Sequence, residues 1–159
     1  MKVTILVPGK IKPKQLVEAQ NEYVKRLKSY GVKLQEYKDE RVDRQPELVK
    51  KAEAERMFKT LKPDDYLIAC DERGRAITTD KMAALMRDAR QGGGKVAGKN
   101  RVIIVIGGAL GLDESVRNRA NEVWAISSLV MAGGVARVVL LEAVYRAFTI
   151  VDGHPYHNA

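Results

Sequence analysis

Five short apolar segments alternate with helix-like patterns along this chain, and that alternation limits its possible folds more than any other feature. Apolar or alternating character between turn residues predicts strands at Val3–Val7, Val32–Tyr37, Tyr66–Cys70, Val102–Ile106 and Val123–Ser127. Strands that alternate with helices form a mostly parallel sheet covered on both faces. The sequence therefore predicts an α/β fold. A length of 159 residues also predicts a single domain, over residues 1–159.

Apolar residues spaced three and four apart predict helices between these strands. The stripes are Leu16, Tyr23, Leu27 and Tyr30 in the first helix, Leu48, Ala52, Met57 and Leu61 in the second, and Met82, Leu85, Met86 and Ala89 in the third. A short fourth helix is predicted after Asp113, which can cap it. The last helix, Val135–Val151, is apolar almost all round. A small domain rarely covers a terminal helix so fully, so we expect a homodimer.

The charge balance favours a polyanionic partner. The chain has 28 Lys and Arg against 20 Asp and Glu, a net charge of +8. Cationic surfaces bind nucleic acid by releasing its condensed counterions, although excess charge also serves solubility. The lone Cys70 excludes an intramolecular disulfide and fits a reducing compartment. With no signal-peptide pattern and no apolar run of about 18 residues, we expect a cytoplasmic protein without a membrane span.

Two small-residue segments follow predicted strands and could bind a ligand. The first, "GGALGL" from Gly107, offers free backbone amides at the carboxyl end of a parallel strand. It matches neither GxGxxG nor GxxxxGK[ST], and a simple tight turn explains it equally well. The second, "AISSLVMAGGVAR" from Ala125, combines serines and glycines with apolar side chains that could hold an adenine. An ordinary strand-to-helix connection is an equal alternative.

Ionisable residues collect near the end of the chain. Glu142 and Arg146 are four apart within the apolar last helix, where charges must be paired or used. The segment "GHPYHNA" holds both histidines of the protein, and imidazole exchanges protons near neutral pH. A frayed terminus is the alternative, but the proline and tyrosine favour an ordered segment. Two histidines and a distant cysteine are too few for a zinc site, so no metal is expected.

Three stretches together resemble a known family: "ILVPGKIK", "VIGGALGL" and "RVVLLEAVYRAFTIVDGHPYH". Over its whole length the chain resembles the SPOUT-class methyltransferases that methylate N3 of a pseudouridine in 23S rRNA of the large ribosomal subunit. The resemblance implies an α/β knot, in which a C-terminal trefoil knot builds the site for S-adenosylmethionine. It also implies a homodimer that acts on rRNA, with assembled ribosomes as the expected substrate.

The resemblance further implies roles for individual residues. The cofactor-binding residues would be Cys70, Gly107, Gly108, Ile126, Ser127, Ser128, Leu129, Val130 and Met131. The substrate-side residues would be Arg146, Tyr156 and His157. His157 is then the candidate base or proton relay, Tyr156 orients the target base, and Arg146 holds a phosphate or the developing anion. One departure is "MAGG", where Ala132 and Gly133 replace the Pro-His pair of most relatives.

Two other functions stay open on the sequence. A non-catalytic RNA-binding or ribosome-assembly protein would use the same positive charge but would transfer no methyl group. A small nucleotide-binding α/β domain would explain the glycines but not the C-terminal segment.

Overall fold

The computed structural model describes residues 1–157 and contains one five-stranded sheet. The strands are β1 (Lys2–Pro8), β2 (Val32–Tyr37), β3 (Asp65–Ala76), β4 (Arg101–Ile106) and β5 (Glu122–Ala125). Their order is β2-β1-β4-β3-β5, and every pair of neighbours is parallel. The predicted parallel α/β fold is confirmed, and the carboxyl ends of all five strands meet at one edge.

Helices cover both faces of the sheet, as predicted. They are α1 (Lys14–Lys28), α2 (Pro46–Thr60), α3 (Thr79–Gln91), α4 (Glu114–Arg119) and α5 (Gly133–Val151). Helices α1, α3 and α5 share one core with side chains such as Ile104, whereas α2 and α4 pack against the other face with Ile103. Successive residues of β4 thus serve opposite layers. The strand order alone does not establish the trefoil knot, which stays a prediction.

The predicted apolar stripe of α2 is confirmed at Met57 and Leu61, which contact the core, but it is wrong at Leu48. Leu48 is 56% exposed, and the buried residues are Val49, Glu53, Ala54 and Met57. A charged residue on the buried face and an apolar one on the solvent face conceal the true orientation from a pattern of hydrophobicity. Glu53 is therefore a buried carboxylate on the sheet side of α2.

Strand β3 extends well past the predicted end at Cys70 because it contains a bulge. Cys70 and Arg75 both pair with Trp124 of β5, so the four residues 71–74 loop out between them. Gly74 closes the bulge where two backbones nearly touch: a Cβ there would lie 2.6 Å from the carbonyl carbon of Trp124. The fifth strand is also shorter than predicted, ending at Ala125, so Ile126 and Ser127 lie in the following loop.

A buried ion pair fixes the start of the central strands. Asp65 and Arg101 are register partners on β3 and β4, and Arg101 donates from Nη2 to Oδ2 at 2.6 Å and from Nε to Oδ1 at 2.8 Å. The Lys62 N–H donates to the same carboxylate at 2.7 Å. Burial raises the pKa of Asp65, but the hydrogen bonds from Arg101 and Lys62 outweigh it, and the pKa is held below its usual value.

We expect Asp65→Asn to lower the free energy of unfolding by about 3 kcal/mol at neutral pH, because it leaves Arg101 partly buried without its partner. A carboxyl with a lowered folded pKa stabilises above its unfolded pKa of about 3.9, and that stabilisation is lost as pH falls through the folded value. Urea unfolding should therefore show the difference shrinking towards acid pH. The exposed Asp43→Asn is the control. Equal unfolding curves for all three proteins at neutral pH would contradict this role.

Candidate active site

A cavity of about 500 Å³ opens at the carboxyl edge of the sheet, beyond β3, β4 and β5. Its lining consists of residues 70–73, 106–112, 126–127, 129–133 and 136. Small-molecule sites have volumes of about 300–1,000 Å³, and ligands of open parallel sheets bind outside the carboxyl ends of the strands. Both size and position suit a cofactor.

The glycine loop after β4, residues 107–111, folds back tightly on itself. Gly108 and Gly111 form a bridge, and Gly111 has a φ of 81°, which favours glycine. A Cβ at Gly107 would lie 2.7 Å from the carbonyl carbon of Gly111. A Cβ at Gly108 would lie 2.5 Å from Oε2 of Glu53. Gly107 thus has no room for a side chain, and a side chain at Gly108 would require Glu53 to move. The loop itself lines the cavity.

The loop after β5 forms the apolar wall. Ser127 Oγ accepts a hydrogen bond from the Leu129 N–H at 2.9 Å, and Val130 is 89% exposed. Of the residues that the sequence proposed for the cofactor, Ser128 is the one that does not line the cavity. The other eight are brought together from three separate stretches of the chain.

Cys70 contributes a neutral surface and no nucleophile. Burial, with a smaller effect of Asp71, raises the pKa of its thiol to about 12. A thiol in that state is chemically inert at neutral pH. Asp71 itself accepts hydrogen bonds from Arg117 Nη1 at 3.2 Å and from the Arg73 N–H at 3.0 Å. The sequence missed these bulge residues as part of the cavity, since no strand pattern continues past Cys70.

The segment that follows α5, as far as His157, packs against the outer side of that helix. It contributes to a second group, here called the tail cluster: Tyr23, Glu142, Tyr145, Arg146, Tyr156 and His157. Arg146 Nε donates to Glu142 Oε1 at 3.0 Å, and Arg146 Nη1 lies 3.3 Å from His157 Nδ1. Because a guanidinium can only donate, Nδ1 of His157 accepts and the ring proton belongs on Nε2.

Tyr156 ties the tail cluster together. Its hydroxyl donates to Glu142 Oε1 at 3.1 Å, so the Tyr23 hydroxyl, 3.3 Å away, is its donor. Its ring meets that of Tyr145 edge-on at 4.8 Å and lies 4.8 Å from the guanidinium carbon of Arg146. Burial and the hydrogen bonds to Tyr23 and Glu142 raise the pKa of the hydroxyl, which stays protonated. The tail is packed up to His157.

The tail cluster does not line the cavity. Gly133 at the start of α5 borders the cavity, whereas Arg146 lies further along the same helix. At about 1.5 Å per residue the two positions are about 20 Å apart. The residues proposed for the cofactor and those proposed for the substrate thus form two separate groups within one chain.

Two further searches concern the part of the chain that the structure describes. Within residues 1–157, no group of three or more His, Cys, Asp or Glu side chains is arranged to hold a metal ion. In the same residues, no helix is both long enough and apolar enough to cross a membrane.

A parallel sheet with a glycine-lined cavity at its carboxyl edge is typical of ligand-binding α/β proteins. Comparison with known proteins narrows this class. A family model described as "Predicted SPOUT methyltransferase" matches residues 1–157. The chain belongs to the SPOUT methyltransferase family, which confirms the resemblance seen in the sequence.

Similar proteins match over nearly the whole chain. One from Acetivibrio thermocellus is 37% identical and one from Lysinibacillus sphaericus is 38% identical, and each carries the name ribosomal RNA large subunit methyltransferase H. A third, from Methanococcus vannielii, is 36% identical and is named a putative enzyme of the same kind. Each match covers 99% of this chain and 100% of the relative.

Proposed function

We propose that this protein uses S-adenosylmethionine to methylate N3 of a pseudouridine in 23S rRNA, as a homodimer acting on ribosomes in the cytoplasm. The observation that carries the proposal is the cavity at the carboxyl edge of the sheet, in a chain of the SPOUT methyltransferase family. The names of the relatives indicate large-subunit rRNA as the substrate. A net charge of +8 suits binding to the phosphates of RNA.

The residues around the cavity fit this cofactor. The glycine loop leaves room for close approach of a ligand to backbone amides, and the loop after β5 offers apolar Ile126, Leu129 and Met131 for an adenine. When bound, S-adenosylmethionine supplies a methyl group already activated by its sulfonium. The protein then needs to orient the target nitrogen towards that methyl group and exclude water.

The second half of the site comes, in this proposal, from a second copy of the chain. Val135 and Val139 are 39% and 37% exposed, and they share one face of α5 with Glu142 and Arg146. Packing this face against its equivalent across a two-fold axis perpendicular to α5 makes the two helices antiparallel. The end of one α5, with its tail cluster, then lies beside the cavity of the other chain.

Within such a site the residues of the tail cluster would contact the RNA substrate. Arg146 is the cation that binds an RNA phosphate or the anion that develops on the target base. Its move away from His157 would free Nδ1, which could then accept the imide proton. Tyr156, whose hydroxyl is held by Glu142 and Tyr23, would orient the base through contact with its ring. Glu142 orients Arg146 and is occupied by hydrogen bonds from Arg146 and Tyr156.

Transfer of labelled methyl from S-adenosylmethionine tests the proposal. The substrates are assembled ribosomes and free rRNA, both from cells that lack this modification, followed by mapping of the labelled nucleotide. We expect label on N3 of a pseudouridine in 23S rRNA, with ribosomes the better substrate. Binding of RNA without transfer would favour the non-catalytic RNA-binding alternative. Thermal stabilisation by nucleotides but not by S-adenosylmethionine would favour a nucleotide-binding domain.

A further inference from the structure

Glu53 is a buried carboxylate directly beneath the glycine loop. It lies on the sheet side of α2, is 3% exposed, and does not itself line the cavity. Its oxygens are so close to Gly108 that a Cβ built there would lie 2.5 and 2.6 Å from them. The glycine loop therefore packs directly against this carboxylate.

Backbone groups from two different loops meet at this carboxylate. The Glu40 N–H, from the segment between β2 and α2, donates to Oε1 at 3.0 Å, and the Gly108 N–H is close enough to stabilise the negative charge. Hydrogen bonds to a charged acceptor are stronger than those between neutral groups, and a buried N–H that loses its acceptor is costly. One side chain thus joins the glycine loop to the segment between β2 and α2.

We propose that Glu53 is a positioning residue that holds the glycine loop in the conformation that binds S-adenosylmethionine. The inference rests on the proposed function and goes beyond it, because Glu53 acts through Gly108 and touches no ligand in the cavity. Its negative charge holds the N–H groups of Glu40 and Gly108 towards it. Protonation removes that charge and turns one carboxyl oxygen into a donor, which weakens the hold on both.

The surroundings make this role sensitive to pH. Burial raises the pKa of Glu53, the N–H groups of Glu40 and Gly108 oppose this, and nearby Asp39 raises it further. Arg56 on the same helix acts in the opposite direction and lowers it. The Tyr37 hydroxyl, which donates to the Ile106 carbonyl at 3.0 Å, stays neutral because burial and the charges of Glu53 and Asp39 raise its pKa. Acidification through the raised pKa should therefore loosen the glycine loop.

The test compares wild type, Glu53→Gln and Glu55→Gln, the last a matched change at an exposed position of the same helix. Calorimetric titration with S-adenosylmethionine gives the dissociation constants between about pH 8 and about pH 5. Hydrogen exchange of the amides of residues 107–111, without cofactor, reports the loop directly. Melting temperature reports the fold.

We expect Glu53→Gln to bind the cofactor about tenfold more weakly, or worse, near pH 8. Exchange of the loop amides should be faster, while Glu55→Gln matches wild type in both. The ratio of the dissociation constants of Glu53→Gln and wild type should approach one as pH falls, because wild type loses the same acceptor. The melting temperature near pH 8 should not fall, since glutamine removes a buried charge.

If Glu53→Gln shows wild-type affinity and wild-type exchange, the inference is wrong, while the proposed function is unaffected. A lower melting temperature with weaker binding at every pH would overturn the inference too, since Glu53 would then support the fold and not the loop in particular. If wild type itself binds no S-adenosylmethionine, the proposed function fails and the inference fails with it, so the two failures can be told apart.

Discussion

Two inactive variants, mixed so that their subunits exchange, should regain about a quarter of wild-type methyl transfer to ribosomes. The variants are Gly133→Trp, which blocks the cavity, and His157→Ala, which removes the imidazole from the tail cluster. In a mixed dimer, one site combines the open cavity of the second variant with the intact tail of the first. Random pairing makes about half of the dimers mixed, and each has one complete site of two.

The two changes are chosen to leave the fold intact. A Cβ at Gly133 meets no atom within 4 Å, and its backbone φ is not positive, so an indole can enter the cavity that Gly133 borders. His157 is the last residue of the tail cluster. Loss of a proton-transfer group lowers turnover by about 10²- to 10⁴-fold, so His157→Ala alone should be nearly inactive. Gly133→Trp alone should be inactive because its cavity is blocked.

Controls separate this result from simple misfolding. Gly133→Ala should stay active, and His157→Ala should still bind S-adenosylmethionine with wild-type affinity. Both inactive variants should keep the wild-type molecular mass in light scattering. If the mixture stays as inactive as its components although mixed dimers form, each site must be complete within one chain, and the proposed arrangement is wrong.

Much of the sheet could be predicted because its signals are local. Runs such as Val102–Ile106 are apolar throughout, as strands buried on both faces require, and helical stripes separate them. The cavity followed from the same reasoning. Glycine-rich segments after strands must meet at one edge of a parallel sheet, and residues as distant as Gly107 and Met131 do line one cavity.

What the sequence missed depends on contacts between distant residues. The bulge in β3 is charged and carries no strand signal, yet Arg75 pairs again with Trp124. Glu53 is buried against Gly108 and accepts a hydrogen bond from the Glu40 N–H, and no helix pattern shows that. The tail is ordered by Glu142 and its neighbours, and a pattern of residues in one chain cannot tell which cavity it serves.

Gly74→Ala should be among the most damaging single-methyl changes in the chain. Its Cβ would lie 2.6 Å from the carbonyl carbon and 2.7 Å from the nitrogen of Trp124, both backbone atoms in β5. Trp124 cannot easily yield, since its side chain is buried and its indole N–H donates to Glu122 at 2.9 Å. The added methyl group should lower the free energy of unfolding by about 3 kcal/mol or more, because β3 and β5 must move apart to make room for it.

The consequence should reach the cavity as well as the fold. The bulge that Gly74 closes carries Asp71 and Arg73 into the cavity wall, so forcing β3 and β5 apart displaces that wall. Urea unfolding should show the loss of about 3 kcal/mol, and affinity for S-adenosylmethionine should fall with it. Gly93→Ala is the matched control, because a Cβ there meets nothing within 4 Å and its φ of −124° suits alanine. If both variants unfold like wild type, the close approach of β3 and β5 at Gly74 does not exist in solution, and the bulge must be closed in another way.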